Sequence, residues 1–131
     1  MILLPREIYQ ILQIHLQACY PEEGCGLLAG DGKTAVRFYP VENELHSQTR
    51  YKMAPVAQIA AMLDIEDRGW NLLAIVHSHP HSAPYPSAID VAEAAYPSAY
   101  TFILSLATNP PTHGLFQIKN GQISAVECAI V

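Results

Sequence analysis

Three of the chain's six histidines fall within five residues, in His77-Ser78-His79-Pro80-His81. His77 and His79 are two apart, and alternate side chains of an extended chain point to the same face. Two imidazoles on one side can converge on one cation. Imidazole is the usual zinc ligand, and Asp or Glu supplies an oxygen. Asp90 comes eleven residues after His79, beyond a loop stiffened by Pro80, Pro84 and Pro86. A chain turning through that loop can return the carboxylate to the histidines. Both parts also have plainer readings. A His-x-His pair can be two core or exposed histidines, and Ser87-x-x-Asp90 is a capping box with Ser87 as N-cap and Asp90 at N3. The two uses of Asp90 do not exclude each other.

The elements that must position these residues are legible from periodicity and turn chemistry. Leu72–Val76 is nearly all apolar, so it is expected as a central strand covered on both faces. It delivers the histidines to its C-terminal end, where open sheets display their sites. Residues 5–19 read as a helix with Pro5 in its first turn and Ile8, Ile11, Leu12, Leu16 and Cys19 on one face. His15 shares that stripe as a boundary or core histidine. Pro21 ends the helix. Residues 23–30 and 34–41 read as strands around the Asp31-Gly32 turn, and a further extended piece falls near Tyr51–Met53. Pro55 opens a second helix over 55–68, with Val56, Ile59, Ala60 and Leu63 as its expected buried face and Gly69 as its C-cap. A short helix over 87–95 is stopped by Pro97. Strands are expected over 100–107, 114–119 and 122–130, the last two joined at Asn120-Gly121. This order describes an α/β or α+β domain built on one mixed β-sheet flanked by helices.

Size and charge exclude several classes. The 131 residues are expected to form one domain, 1–131. They are too few for a (β/α)₈ barrel of about 250 residues. The net charge is −5, and the seven Lys and Arg are scattered without a basic stripe, so no nucleic-acid partner is expected. The apolar runs are too short for a membrane span, and the N-terminus lacks the pattern of a signal peptide. Three cysteines without a C-x-x-C pair fit a reduced, cytoplasmic setting. Gly32-Lys33-Thr34 fails as a P-loop because Leu27 stands where its first glycine must be. Gly24, Gly26 and Gly30 are wrongly spaced for a dinucleotide fingerprint. Cys25 reads as a buried strand cysteine rather than a nucleophile.

Residues 77–90, H-S-H-P-H-S-A-P-Y-P-S-A-I-D, resemble the metal motif of the JAMM/MPN+ metalloprotease family at every defining position. Glu23-Gly24-Cys25-Gly26-Leu27 resembles the family's glutamate strand. Asn43, Tyr51 and Pro55 resemble the segment before its second helix. The likeness runs over about residues 3–127. It implies the MPN/JAB fold, a single mixed sheet flanked by helices with cytidine-deaminase-like layering. It implies one Zn²⁺ per chain held by His77, His79 and Asp90, with Glu23 as general base and Ser87 stabilising an oxyanion. Active members hydrolyse bonds after the C-terminal Gly-Gly of ubiquitin-like proteins.

The chemistry agrees with that assignment. Three protein ligands leave a fourth zinc position for water, whose pKa falls towards about 7. A carboxylate must take up the proton and return it to the leaving amine. Glu22 and Glu23 face opposite ways in a strand, and the motif selects Glu23. His81 departs from the wording of many relatives and is given no role. The chain has no room for the insertions of eukaryotic deubiquitinases, so the likeness is to small prokaryotic members acting on sulfur-carrier proteins. Their substrate's extended tail is expected to add beside residues 49–54. The alternatives are a non-catalytic scaffold that binds a protein partner and a zinc hydrolase of small-molecule amides.

Overall fold

The apolar run that leads to the two histidines becomes the middle of the sheet. In the computed structural model, which describes residues 1–131, the elements are β1 (Ile2–Leu4), α1 (Arg6–Cys19), β2 (Cys25–Asp31), β3 (Thr34–Val41), α2 (Pro55–Asp67), β4 (Asn71–His79), α3 (Ala88–Ala92), β5 (Tyr100–Ser105), β6 (Thr112–Lys119), β7 (Gln122–Val126) and β8 (Cys128–Ile130). The strand order is β7-β6-β5-β4-β2-β3-β1-β8. β4 pairs antiparallel with β2 and parallel with β5, and β1 runs parallel to both β3 and β8, so the sheet is mixed. No helix is long and apolar enough to cross a membrane.

The two faces of β4 serve different cores. Ala74 and Val76 pack with Leu12 and Leu16 of α1, Phe102, Leu104 and Ile2. Ile75 packs on the other side with Ala61 and Ile65 of α2, Met53 and Cys25. His77 and His79 continue the row of Ile75 by the two-residue period, so they emerge on the α2 side. Local signals hold where turn chemistry dictates them. Gly69 ends α2 at φ +72°, and Asn120 and Gly121 both take positive φ (53° and 75°) in the β6–β7 turn.

Three expectations are corrected. The buried face of α2 is not Val56, Ile59, Ala60 and Leu63. Val56 is 84% exposed and Leu63 57%, while Ala61 and Ile65 face the sheet. The helix is apolar almost all round, so its periodicity does not select a face. Ile11 of α1 likewise points to solvent. Finally, the expected strand 122–130 divides at Glu127 into β7 and β8, and the N-terminal strand β1 was not foreseen. These are short pieces whose pairing is decided by distant partners, not by local pattern. A single residue thus joins the two ends of the strand order, and the sheet curls until they meet. The orientation of α2 makes a direct prediction. Ile65→Ala should cost about 2–4 kcal/mol in urea unfolding, and Leu63→Ala no more than about 0.5 kcal/mol. Equal costs would mean that α2 is turned the other way.

Candidate metal centre

The antiparallel register of β2 on β4 places Cys25 opposite His77. Continued backwards, it sets Glu23 beside His79. Two bonds fasten this junction: the Gly24 amide donates to Ser78 Oγ (2.8 Å), and the Ser78 amide to the Gly24 carbonyl (3.0 Å). Ser78 therefore turns away from the histidines and ties the Glu23 segment to the strand that carries them. Asn43, which is buried, completes the support. Its amide group donates to the Glu23 and Arg50 carbonyls, both at 3.0 Å, and its Oδ1 accepts from the Leu45 and Lys52 amides.

Asp90 arrives by the loop after β4. Ser105 Oγ donates to the Ser82 carbonyl at 2.6 Å and holds that loop. Gly114 permits its close approach, because a Cβ there would lie 2.7 Å from the Pro84 carbonyl oxygen. The capping box then fixes α3: Ser87 Oγ accepts from the Asp90 amide, and Asp90 Oδ2 accepts from the Ser87 amide. The cap reading of Asp90 is observed, and its carboxylate also faces the histidines.

The potential ligand atoms of His77, His79 and Asp90 all lie within 4.8 Å of one another. Asp90 Oδ2 is 3.0 Å from His79 Nε2, and Oδ1 is 3.7 Å from His77 Nε2. Tetrahedral ligands about 2.0–2.1 Å from one ion stand roughly 3.3 Å apart, and the two observed separations bracket that value. The donor set of two imidazoles and a carboxylate fits zinc. So does the hydrogen bonding. Buried polar groups are nearly always paired, yet both ring nitrogens of His77 and Glu23 Oε1 are buried without a hydrogen-bond partner. A cation between His77 and Asp90 would give His77 Nε2 its partner. Glu23 Oε1 lies 3.5 Å from His77 Nδ1, at the margin of the cluster.

Electrostatics favour charge here. Burial alone would raise the Asp90 carboxyl, but the His79 hydrogen bond, nearby His77 and the Ser87 amide hold it down at about 2. Burial works against a proton on His79. The Asp90 hydrogen bond and the Ala83 carbonyl, which accepts from Nδ1 at 2.9 Å, outweigh it and raise its pKa. That Ala83 bond leaves Nε2 for a metal, the usual arrangement of an imidazole ligand. Cys25, by contrast, is pushed up to about 12 by its burial and donates to the Val41 carbonyl, as expected of an inert core thiol.

A cavity of about 390 Å³ opens beside His77 and Asp90, with Met53, Ile75 and Ile118 among its apolar walls. Arg50 and Glu93 form an ion pair on its lining. Tyr51 also lines it and stacks on the His77 ring, with centroids 4.6 Å apart and an interplanar angle of 27°. Burial first, then the Asp90 charge, pushes the Tyr51 phenol up, so it remains neutral. His81 lies outside the cluster, exposed, with Nε2 3.2 Å from Gln48 Oε1. The structure therefore brings together His77, His79, Asp90 and Glu23, and sets Ser87 at the entry to α3. Sequence reasoning gave no role to Ser78, Asn43 or Tyr51. Only the resemblance marked the last two, because single residues in irregular segments carry no periodic signal.

Over residues 5–118 the chain matches the family described as prokaryotic homologs of the JAB domain. The chain belongs to this family. Among curated relatives, a probable TtuB-protein conjugate cleaving protease of Thermus thermophilus is 37% identical, over 74% of this chain and 66% of that one. The desampylase of Haloferax volcanii is 34% identical, over 64% of this chain and 62% of that one. The matches therefore span slightly less than two-thirds of either protein. The CysO-cysteine peptidase of Mycobacterium bovis is 29% identical over 90% of this chain and 83% of its own length. A solution structure of a protein from Desulfitobacterium hafniense superposes with a TM-score of 0.90 at 34% identity, covering 100% of this chain and 93% of that one. A JAB1/MPN domain protein from Archaeoglobus fulgidus, at 16% identity, shows the same fold with a TM-score of 0.64, over 100% of this chain and 97% of that one. The JAB-domain fold expected from the sequence is thus the fold observed, and it carries a His-His-Asp cluster able to hold a metal.

Proposed function

We propose that this chain is a zinc-dependent peptidase or isopeptidase that cleaves after the C-terminal Gly-Gly of a ubiquitin-like or sulfur-carrier protein. The observation that carries the reading is the buried, unpartnered polar edge formed by His77 and Glu23 Oε1 beside the His79–Asp90 pair. His77, His79 and Asp90 would hold the zinc. A bound zinc supplies Lewis acidity, lowering the pKa of water towards about 7 and polarising a carbonyl. Glu23 takes the proton of the attacking water and returns it to the departing amine. Its unpartnered oxygen is free for both transfers.

Ser87 donates to the developing oxyanion. Its cap uses an oxygen lone pair, and a hydroxyl has two lone pairs and one proton, so the proton remains available. Ser87→Ala should lower kcat about 10²–10³-fold with KM little changed, besides the roughly 1 kcal/mol lost with the cap. An unchanged kcat with lowered stability would reduce Ser87 to a cap alone.

The strip 49–54 suits an extended tail. The Glu44 and Ala54 amides bond across it to Lys52 and Glu42 carbonyls, and Asn43 and Met53 form a bridge. In an extended strip the backbone groups of Tyr51 and Met53 point the opposite way, where a substrate strand can pair with them. The names of the Thermus and Mycobacterium relatives point to cleavage of TtuB–protein conjugates and of CysO–cysteine. The deciding experiment incubates zinc-loaded protein with Gly-Gly-ending carriers joined to cysteine or to a lysine side chain, and reads intact mass. Release of the free carrier is expected. Adducts that persist at every enzyme concentration would overturn the reading.

A further inference from the structure

The three candidate ligands are not oriented alike. His79 is fixed by the Ala83 carbonyl at Nδ1, and Asp90 by the Ser87 amide. His77 is fully buried and has no hydrogen bond at either ring nitrogen. An imidazole ligand normally donates its second N–H to an acceptor, which sets both tautomer and ring plane. At His77 the nearest acceptor, Glu23 Oε1, stands 3.5 Å from Nδ1 without making a hydrogen bond, and the plane is set by packing. Tyr51 lies against one face of the ring at 4.6 Å, nearly parallel, and His79 meets it at 5.1 Å, tilted by 54°. A tilted neighbour limits the ring at its edge, whereas a stacked ring defines its plane.

Tyr51 is itself held on both sides. The Arg50 carbonyl accepts from Asn43 Nδ2, and the Lys52 amide donates to Asn43 Oδ1, both at 3.0 Å. The same Nδ2 group bonds the Glu23 carbonyl at 3.0 Å. The stacked ring is therefore referred, through one buried side chain, to the segment before β2 that carries Glu23.

We propose that Tyr51 is the positioning residue of His77, supplying by aromatic stacking the orientation that hydrogen bonds supply to His79 and Asp90. The inference rests on the metal reading of the His77, His79 and Asp90 cluster. It concerns the ring and not the hydroxyl, so the substitutions separate. Tyr51→Phe keeps the ring, and Tyr51→Leu keeps apolar bulk without it.

The test is metal binding, read by zinc competition titration and by the visible spectrum of the cobalt(II)-substituted protein. Tyr51→Phe should bind zinc within about twofold of the wild type and keep the cobalt spectrum. Tyr51→Leu should bind zinc about 10–100-fold more weakly, the usual cost of losing an orienting partner, with a changed cobalt spectrum. Wild-type affinity and spectrum in Tyr51→Leu would overturn the proposal. So would a loss in Tyr51→Phe, which would assign the effect to the hydroxyl and decides the matter even if Tyr51→Leu fails to fold. A wild type that binds neither zinc nor cobalt would overturn the metal reading instead.

Discussion

Glu23→Gln should keep about one zinc per chain and lose turnover by about 10²–10⁴-fold, the range for removal of a general base. The substitution preserves shape and removes only the ability to take up a proton. Glu23 is 4% exposed, so no solvent carboxylate can replace it readily, and it stands outside the group of three ligand residues. Metal content by elemental analysis should therefore be unchanged while release of the carrier, followed by mass, nearly stops. The folded chain should not suffer, because a buried carboxylate with an unpartnered oxygen is costly. A fully active Glu23→Gln protein would remove Glu23 from the mechanism. An inactive protein without zinc would mean that Glu23 is a ligand.

His79→Ala should abolish both metal retention and turnover. His79 offers Nε2 to the cluster on one side and is anchored through Nδ1 on the other, so the substitution would remove a candidate ligand and its support together. It also strips Asp90 of the strongest partner that holds its carboxyl low. Zinc content by elemental analysis should fall to background after dialysis, with the fold retained by circular dichroism. Retention of stoichiometric zinc would sink the assignment of His79. In the wild type, ligands must be deprotonated to bind metal, and the raised pKa of His79 strengthens the competing proton. Zinc retention should therefore weaken as the pH falls.

The path from sequence to site was short where the chemistry is local. Alternation alone placed His77 and His79 on one face of β4, and the Ser87-to-Asp90 spacing gave the cap that aims the carboxylate. Positive-φ residues marked the turns at Gly32 and Asn120-Gly121 and the end of α2 at Gly69. The rest depends on tertiary choice. Apolar residues surround α2, so only contact with Met53 and Val41 shows which side is covered. Ile2–Leu4 is too short to show a period, and it becomes a strand because β8 lies alongside it. Asn43 and Tyr51 matter through partners far along the chain: Glu23 in one case and His77 in the other. No spacing rule reaches that far.

The one-residue corner at Glu127 has a kinetic consequence. It lets β8 run beside β1, pairing Ile2 with Cys128 and Leu4 with Ile130, while β1 meets β3 at the single pair Leu3–Thr34. Pairings between such distant residues incur loop-closure entropy before any contact compensates it, and they slow folding. Glu23 just before β2, His77 and His79 on β4 and Asp90 on α3 all fall within the interior of the chain, outside the strands paired at this seam. Ile2 and Leu4 of the seam share a core with Ala74 and Val76 of β4, so closing the seam also completes the packing behind the candidate metal site.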